Sequence, residues 1–555
     1  MVLDRSACYR ALSARDPRFD GVFYVGVTST RIYCRPVCRS RTPRAANCRF
    51  FSHAAAAERA GFRPCLRCRP ELAPGNAPVD ATAVLAERAA RAIAAGALNA
   101  GSLDDLARSL GVTGRHLRRA VSAALGVSPI ALATTHRLLL AKRLLHETTL
   151  PVAQVAYAAG FDSVRRFNAA FKARHRLTPA ALRREAEESA LAPAAAVSRG
   201  RSPASPAEPR VLAESDAVTD VVELRLEYRP PLHVSSLLQW LAARAAPGAE
   251  VVAGRTYAAT VRVPGRSSDA GPLAPRVSGR GGGSPRGTDD VVGHVELVLP
   301  SDAEGAGPPQ AARGAGEVKG GHAVRVRLSP SLVPVLMPLL QRLRDLLDLD
   351  ANPDVIARHL VRAGAVSSAG QLAGVRIPGT LDGFALAVRA ILGQQVSVRG
   401  ATTVMGRVVQ RFGDRYEGAH PLLTRLMPTA GRLAMLRTRD LATLGMPGAR
   451  ADAVIALARA VAAGEVVLDP GADATRTIRA LTALPGIGAW TAHYIAMRAL
   501  RWPDAFPAND LVLRRAAGNL TAAQLTRLAE PWRPWRAYAA MHLWRTATPA
   551  PARRS

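Results

Sequence analysis

All six cysteines of this 555-residue chain lie within its first 68 residues. Four of them form two closely spaced pairs, Cys34-x3-Cys38 and Cys65-x2-Cys68, separated by 26 residues. Two such pairs can deliver four thiolates to one Zn²⁺ ion in tetrahedral geometry, so we predict a structural zinc site. Two disulfides or four buried thiols are the alternatives. Cys8 and Cys48 lack partner spacing, and we expect them to be ordinary buried thiols.

The balance of charges indicates a polyanionic partner. The chain has 74 Lys and Arg residues against 43 Asp and Glu residues, a formal net charge of +31, which is typical of proteins that bind nucleic acids. No run of eighteen uncharged apolar residues occurs, and Asp4 stands where a signal peptide would need an apolar run. We therefore expect a cytoplasmic, nucleoid-associated protein with no membrane partner.

Changes in composition divide the chain, as its length leads us to expect. A Pro-rich stretch from Pro74 to Pro78 and two low-complexity tracts separate segments with regular apolar periodicity. The pattern predicts a multidomain α+β protein. Its predicted parts are a small zinc-binding domain (1–75), an all-α double helix-turn-helix domain (80–184), a flexible linker (185–218), a small antiparallel-sheet α+β domain (219–350) with a disordered insertion at about 264–321, and an all-α domain (351–555).

The α+β domain is predicted from segments of alternating apolar residues, which indicate the strands of one antiparallel sheet. These segments are Val221–Leu226, Val251–Val263, Val295–Leu299 and Ala323–Leu328. From Leu332 onward the apolar residues recur at helical spacing, so we expect the last domain to consist of helices.

Two similar helix-turn-helix patterns follow each other in the front half. The first turns at Gly111 before a helix starting at Thr113, and the second turns at Gly160 before a helix starting at Ser163. One such hairpin could be plain packing, but two tandem copies on a basic chain favour docking in the DNA major groove. The predicted DNA contacts are Arg115, His116, Arg118, Arg119, Ser163, Arg165, Arg166, Asn168 and Lys172.

The second pattern resembles the C-terminal signature of AraC-type transcription activators. The resemblance is carried by Ala159-Gly160-Phe161-Asp162-Ser163, Phe167, Phe171-Lys172 and Thr178-Pro179, although Arg176 stands where that family usually has Gly. It implies binding to double-stranded DNA at promoter sites, with RNA polymerase as a further partner.

The cysteine segments resemble the N-terminal domain of the Ada adaptive-response proteins. The resemblance covers about residues 1–185 with the helices, and its motifs are Arg31-Ile-Tyr-Cys34-Arg-Pro-Val-Cys38 and Gly61-Phe-Arg-Pro-Cys65-Leu-Arg-Cys68. It implies that Cys34 irreversibly accepts a methyl group from a DNA methylphosphotriester and that zinc keeps Cys34 a thiolate. The neighbouring Arg35, Arg39 and Arg41 form a basic cluster that we expect to bind phosphates.

A Gly-rich hairpin in the back half predicts a second DNA contact. In Leu484-Pro-Gly486-Ile-Gly488-Ala-Trp490, unpaired backbone amides at a helix start can hold a phosphate. Asp510 follows after Phe506-Pro-Ala-Asn. Together the hairpin and the carboxylate resemble helix-hairpin-helix DNA glycosylases.

The resemblance extends to the alkylation-repair glycosylase AlkA over about residues 219–555, through Ala390-Ile-Leu-Gly-Gln-Gln-Val-Ser397, Leu444-Gly-Met-Pro447 and Pro531-Trp-Arg-Pro-Trp-Arg-Ala-Tyr538. It implies that Asp510 is the catalytic carboxylate, that Gln394 and Gln395 fill the gap left in the duplex, and that the extruded base lies against Trp490, Tyr494 and Trp544. From the residues alone, core packing of the aromatic side chains and an N-cap role for Asp510 remain alternatives.

The absence of lysine and cysteine from later parts of the sequence limits the reactions that we expect. No lysine follows Lys319, and Trp490 occupies the hairpin position where strand-cleaving relatives carry a lysine, so we expect no imine chemistry. No cysteine follows Cys68, which excludes an iron-sulfur cluster and the second alkyltransferase site usual in Ada proteins. We predict a methyl sensor and transcription activator fused to a monofunctional 3-methyladenine glycosylase. The alternative is a DNA-binding regulator with an inactive back half.

Overall fold

The fold is described from a computed structural model, which covers residues 4–73, 85–195, 221–265, 290–303 and 322–547. Its first domain has a mixed sheet of order β3-β1-β2-β4, in which β2 and β4 are parallel. Because β2 ends at Cys34 and β4 leads into Cys65, this pairing brings both cysteine pairs to one end of the sheet. The elements are α1 (Arg5–Ser13), β1 (Tyr24–Val27), β2 (Ile32–Cys34), β3 (Cys48–Phe51), α2 (Ala54–Arg59) and β4 (Arg63–Pro64).

The second domain is helical. Its helices are α3 (Leu85–Ala94), α4 (Ala97–Ala100), α5 (Leu103–Ser109), α6 (Gly114–Leu125), α7 (Pro129–Glu147), α8 (Val152–Ala158), α9 (Val164–His175) and α10 (Pro179–Ala195). The side chains of Thr113 and Ser163 cap α6 and α9, so both predicted helix starts are confirmed. No single helix among the described residues could span a membrane, although α6 and α7, bent by 64°, together reach the required length and apolarity.

Helix α10 corrects the predicted linker at 185–218. The helix continues to Ala195, because this part of the sequence is rich in Ala and Glu, which are strong helix formers. Leu182 is fully buried and anchors the first turn of the helix. The rest of the predicted linker, from residue 196, lies outside the described residues.

The predicted antiparallel sheet is confirmed, with strand order β5-β9-β8-β7-β6. The segment Val251–Val263 holds two strands instead of one, since a turn at Gly254, with φ +55°, reverses the chain. Strand β8 lies inside the segment 264–321, which was predicted as a disordered insertion. Of this segment, the structure describes residues 264–265 and 290–303, and the other residues lie outside the described ones. The elements are β5 (Val222–Glu227), α11 (Val234–Ala242), β6 (Glu250–Ala253), β7 (Thr256–Val263), β8 (Val291–Val298) and β9 (Ala323–Leu328).

The remainder is helical, as predicted from Leu332 onward. Helices α19 and α20 flank the Gly-rich hairpin. The helices are α12 (Leu336–Leu346), α13 (Pro353–Arg362), α14 (Gly383–Leu392), α15 (Val398–Phe412), α16 (Ala430–Ala434), α17 (Thr438–Ala442), α18 (Gly448–Ala462), α19 (Ala474–Thr482), α20 (Ala489–Arg498), α21 (Leu511–Ala516), α22 (Ala522–Leu528) and α23 (Arg536–Ala547).

One buried apolar cluster crosses between the front and back halves of the chain. It contains Leu138 and Phe171 of the helix-turn-helix domain together with Leu224 and Val326 of the five-stranded sheet. Buried apolar area is the main source of stabilisation in such contacts. The helix-turn-helix domain therefore packs directly on the sheet of the back half.

Candidate metal centre and aromatic cluster

The four predicted zinc ligands lie together. The sulfur atoms of Cys34, Cys38, Cys65 and Cys68 are all within 4.8 Å of one another. Sulfur atoms about 2.3 Å from a tetrahedral zinc are about 3.8 Å apart, so this donor set fits the ion. Cys8 and Cys48 are buried and outside the cluster, as expected, and all six thiols are free. The disulfide alternative is therefore wrong.

The arginines near this cluster divide into two groups. Arg39 and Arg41 are exposed, as a phosphate contact requires. Arg35, predicted with them, is instead 5 % exposed. Its guanidinium forms ion pairs with Asp20 and Glu227, and these carboxylates offset the cost of burying the positive charge. Arg35 is thus not available at the surface in this structure.

The predicted DNA-binding side chains of α6 and α9 are exposed, while Leu117 and Phe167 on the opposite helix faces are fully buried. Ser163 differs, because its hydroxyl is half-buried and accepts a hydrogen bond from the backbone N–H of Arg166. The exposed side chains are Arg115, His116, Arg118, Arg119, Arg165, Arg166, Asn168 and Lys172. Each helix therefore presents a continuous basic face.

Gln394 braces the Gly-rich hairpin. Its side-chain amide donates hydrogen bonds to the backbone oxygen of Gly486 at 2.9 Å and to the hydroxyl of Thr491 at 3.0 Å. Gln395 is exposed and has a φ of +55°. The hairpin residues Gly486 and Gly488 are also exposed. The structure thus brings both glutamines next to the predicted phosphate-binding hairpin, with Gln395 pointing outward from a left-handed backbone.

Asp510 has two structural roles at once. Its Oδ1 accepts the backbone N–H of Leu513 at 2.8 Å, which caps α21, so the N-cap alternative is correct as far as it goes. The same carboxylate accepts the indole N–H of Trp490 at 2.8 Å and that of Trp544 at 3.1 Å. Three N–H donors therefore fix the carboxylate against the indoles of Trp490 and Trp544.

The predicted aromatic side chains form one cluster beside Asp510. The rings of Trp490 and Tyr494 stack with centroids 5.4 Å apart and an interplanar angle of 12°, and the Trp544 ring meets Tyr494 edge-on at 6.3 Å. Trp490 and Tyr494 are half-buried. Both rings are therefore partly accessible, whereas Trp544 is buried in the apolar core, as the core-packing alternative predicted for it.

Further residues that the sequence did not indicate contact this aromatic cluster. Trp240 of α11 lies 5.9 Å from Trp544, and Arg244 stacks on Trp240 at 3.6 Å. Arg498 donates a hydrogen bond to the Tyr494 hydroxyl at 2.7 Å. Burial raises the pKa of Tyr494, but the charges of Arg498 and Arg244 outweigh burial and lower this pKa to about 8. The contact of Trp240 with Trp544 joins two domains, so no local pattern in the sequence predicted it.

Comparison with known proteins assigns each part of the chain. Residues 7–71 match the metal binding domain of Ada, residues 106–185 a helix-turn-helix domain, residues 223–382 the AlkA N-terminal domain and residues 388–530 the HhH-GPD superfamily of base excision DNA repair proteins. Together with the thiol cluster and the aromatic cluster, these matches define a DNA-binding regulatory protein joined to a base excision repair domain.

Similarity to individual proteins identifies the family within this class. The chain is 38 % identical to the "probable bifunctional transcriptional activator/DNA repair enzyme AlkA" of Mycobacterium tuberculosis H37Rv, over 98 % of this chain and 96 % of that protein. The chain belongs to this family of bifunctional transcriptional activator/DNA repair enzymes. It is also 34 % identical to DNA-3-methyladenine glycosylase 2 of Escherichia coli K12, over 58 % of this chain and 96 % of the relative. A solved 3-methyladenine DNA-glycosylase from Archaeoglobus fulgidus aligns with a TM-score of 0.43 and 17 % identity, covering 58 % of this chain and 98 % of that one.

Proposed function

We propose that this protein excises alkylated bases such as 3-methyladenine from DNA and also senses alkylation through Cys34. The observation that carries the excision proposal is the placement of Asp510, whose carboxylate is held by two indole N–H groups of the aromatic cluster. The domain division predicted above is part of this proposal, with α10 extending the helix-turn-helix domain to Ala195.

Excision requires only modest catalytic help for a cationic base. An extruded 3-methyladenine would lie against Trp490 and Tyr494, whose ring faces attract positive charge. As the glycosidic bond breaks, the base leaves with the bonding electron pair and the sugar becomes positively charged. The Asp510 carboxylate stabilises this charge until water adds to the sugar carbon. No lysine follows Lys319, so water is the nucleophile and the strand stays intact.

Methyl transfer would use the front domain. The sulfur of Cys34 attacks the methyl carbon of a methylphosphotriester, the carbon–oxygen bond breaks, and a phosphodiester leaves with the electron pair. Zinc held by Cys34, Cys38, Cys65 and Cys68 would supply a deprotonated thiol at neutral pH. Methylation lowers the negative charge of the four-thiolate site by one, so the domain repels DNA less afterwards.

Transcription activation would follow from this change in charge. The exposed basic faces of α6 and α9 are suited to two successive major-groove contacts at a promoter. Higher affinity after methylation would keep the protein at that promoter long enough to act on RNA polymerase. This step rests on the helix-turn-helix match and on the family relationship.

One experiment tests both activities. The full chain is incubated with methylated duplex DNA, free 3-methyladenine is measured by chromatography, and label on Cys34 is located by mass spectrometry. We expect released base, one methyl group per chain on Cys34, and no strand cleavage. DNA binding without base release would instead support the alternative of a regulator with an inactive back half.

A further inference from the structure

Arg35 links the metal-binding domain to the five-stranded sheet of the back half. Its Nε donates a hydrogen bond to Oδ1 of Asp20 at 2.9 Å, and its Nη2 contacts both Asp20 and Glu227. Asp20 belongs to the same domain as Arg35, whereas Glu227 is the last residue of β5. Arg35 directly follows Cys34, so this ion pair lies next to the proposed methyl acceptor.

The guanidinium of Arg35 has almost no donor left for another ligand. Its Nη1 donates to the backbone oxygen of Cys68 at 3.1 Å, so with the contacts to Asp20 and Glu227 four of the five N–H groups are engaged. A phosphate bound in the usual two-pronged way needs two free N–H groups. Arg35 therefore cannot bind a phosphate in this way while Glu227 is in place.

A second contact from the back half reaches Asp20. Arg229, two residues after Glu227, is fully buried and donates from Nε to the backbone oxygen of Asp20 at 2.8 Å. The end of β5 and the residues after it therefore cover Asp20 and Arg35 together. Both residues are therefore enclosed by contacts from the back half as well as from their own domain.

We propose that Glu227 competes with a DNA phosphate for Arg35, so that docking of the back half keeps the metal-binding domain in a state of low DNA affinity. This inference rests on the methyl-transfer function proposed above. Asp20, Arg35 and Glu227 carry a formal charge of −1 together, next to a zinc–thiolate site of about −2. Without the Glu227 charge, Asp20 and Arg35 balance each other, and a phosphate meets a weaker competitor for the Nη2 donor of Arg35.

The test uses the full chain with Glu227→Gln, which keeps the shape of the side chain and removes its charge. The matched control is Glu223→Gln, on the same strand, where the side chain is 46 % exposed and pairs with Arg327 at 3.0 Å. Affinity for a duplex is measured by fluorescence anisotropy over a range of salt concentrations. We expect Glu227→Gln to steepen the slope of log affinity against log salt by about 0.9, the value for one added phosphate contact, and to accelerate methyl transfer to Cys34. Glu223→Gln should match the wild type.

Hydrogen exchange in the wild-type chain gives an independent measurement. DNA bound to the metal-binding domain should displace Glu227 and increase amide exchange over residues 222–229. Equal salt slopes for wild type and Glu227→Gln, equal effects of both substitutions, or unchanged exchange in that segment would each overturn the proposal. Absence of methyl transfer in every form would count against the proposed function, while the salt slopes would still test Glu227.

Discussion

At the scale of single residues, Asp510 shows that a structural contact and a chemical role can share one side chain. The carboxylate caps α21 through Leu513 and also accepts hydrogen bonds from the indoles of Trp490 and Trp544. A cap needs only an acceptor, which Asn also supplies. Charge stabilisation needs the carboxylate itself, so the two roles separate on substitution.

We expect Asp510→Asn to lower the rate of 3-methyladenine release at least about 10²-fold, because one preorganised charge is lost where positive charge develops. DNA affinity should stay nearly unchanged. Stability should fall by about 1 kcal/mol, since the Asn amide cannot accept from both indoles. Base release and denaturation are measured on the same preparation. The control is Asp473→Asn, which changes a second Asp N-cap, whose carboxylate accepts from the backbone N–H of Arg476 at 2.9 Å. Full excision activity in Asp510→Asn would mean that another group is the catalytic carboxylate.

Tyr494 should make stability depend on alkaline pH. Its pKa of about 8 in the folded protein lies below the ordinary 10.0, so between these values the unfolded chain binds the extra proton. Stability therefore rises with pH through this window and keeps the full gain above it. We expect the wild type to gain stability relative to Tyr494→Phe from pH 7 to pH 9.5 in urea denaturation. A constant difference between the two proteins across this range would contradict the assignment.

At the scale of elements, the hairpin between α19 and α20 depends on Gly486. Its φ is +77°, and an added Cβ would lie 2.9 Å from the Cβ of Ala453. We expect Gly486→Ala to destabilise the domain by about 1–2 kcal/mol through the left-handed backbone and the close contact. DNA affinity should fall as the hairpin shifts, as measured by anisotropy.

Gly488→Ala is the matched control for the hairpin. Gly488 is extended, with φ −88° and ψ 175°, and has no atom within 4 Å of an added Cβ. Its melting temperature should equal that of the wild type, so any loss of DNA affinity reports on phosphate approach alone. Equal destabilisation by both substitutions would show that the conformation of Gly486 is not what the hairpin needs.

The sequence predicted features that are set by local chemistry. The cysteine spacing identified the thiol cluster, and the side chains of Thr113 and Ser163 marked the helix starts, because ligands and caps act over a few residues. Buried Arg35 pairs with Glu227, 192 residues away, and Trp240 contacts Trp544 from another domain. No local pattern encodes such contacts. Residues 185–195, predicted as part of the linker, are helical because their Ala and Glu residues favour a helix.

At the scale of the whole molecule, the metal-binding domain should need its metal. Its sheet has strands of two to four residues, too short to form a large core, so zinc binding contributes directly to folding. We expect one zinc per chain by elemental analysis, and a chelator should remove the domain's calorimetric unfolding transition. Zinc-free protein with an unchanged melting profile would contradict the site.

The apolar cluster shared by Leu138, Phe171, Leu224 and Val326 has a consequence for how the protein can be taken apart. The chain can be produced in one cell as two separate polypeptides, residues 1–195 and residues 221–555. We expect the two polypeptides to associate and to purify as a one-to-one complex. Either polypeptide alone would leave one side of that cluster open to water and would tend to aggregate. The covalent linkage between the two halves therefore fixes their one-to-one ratio, whereas the packed apolar side chains hold the two halves together.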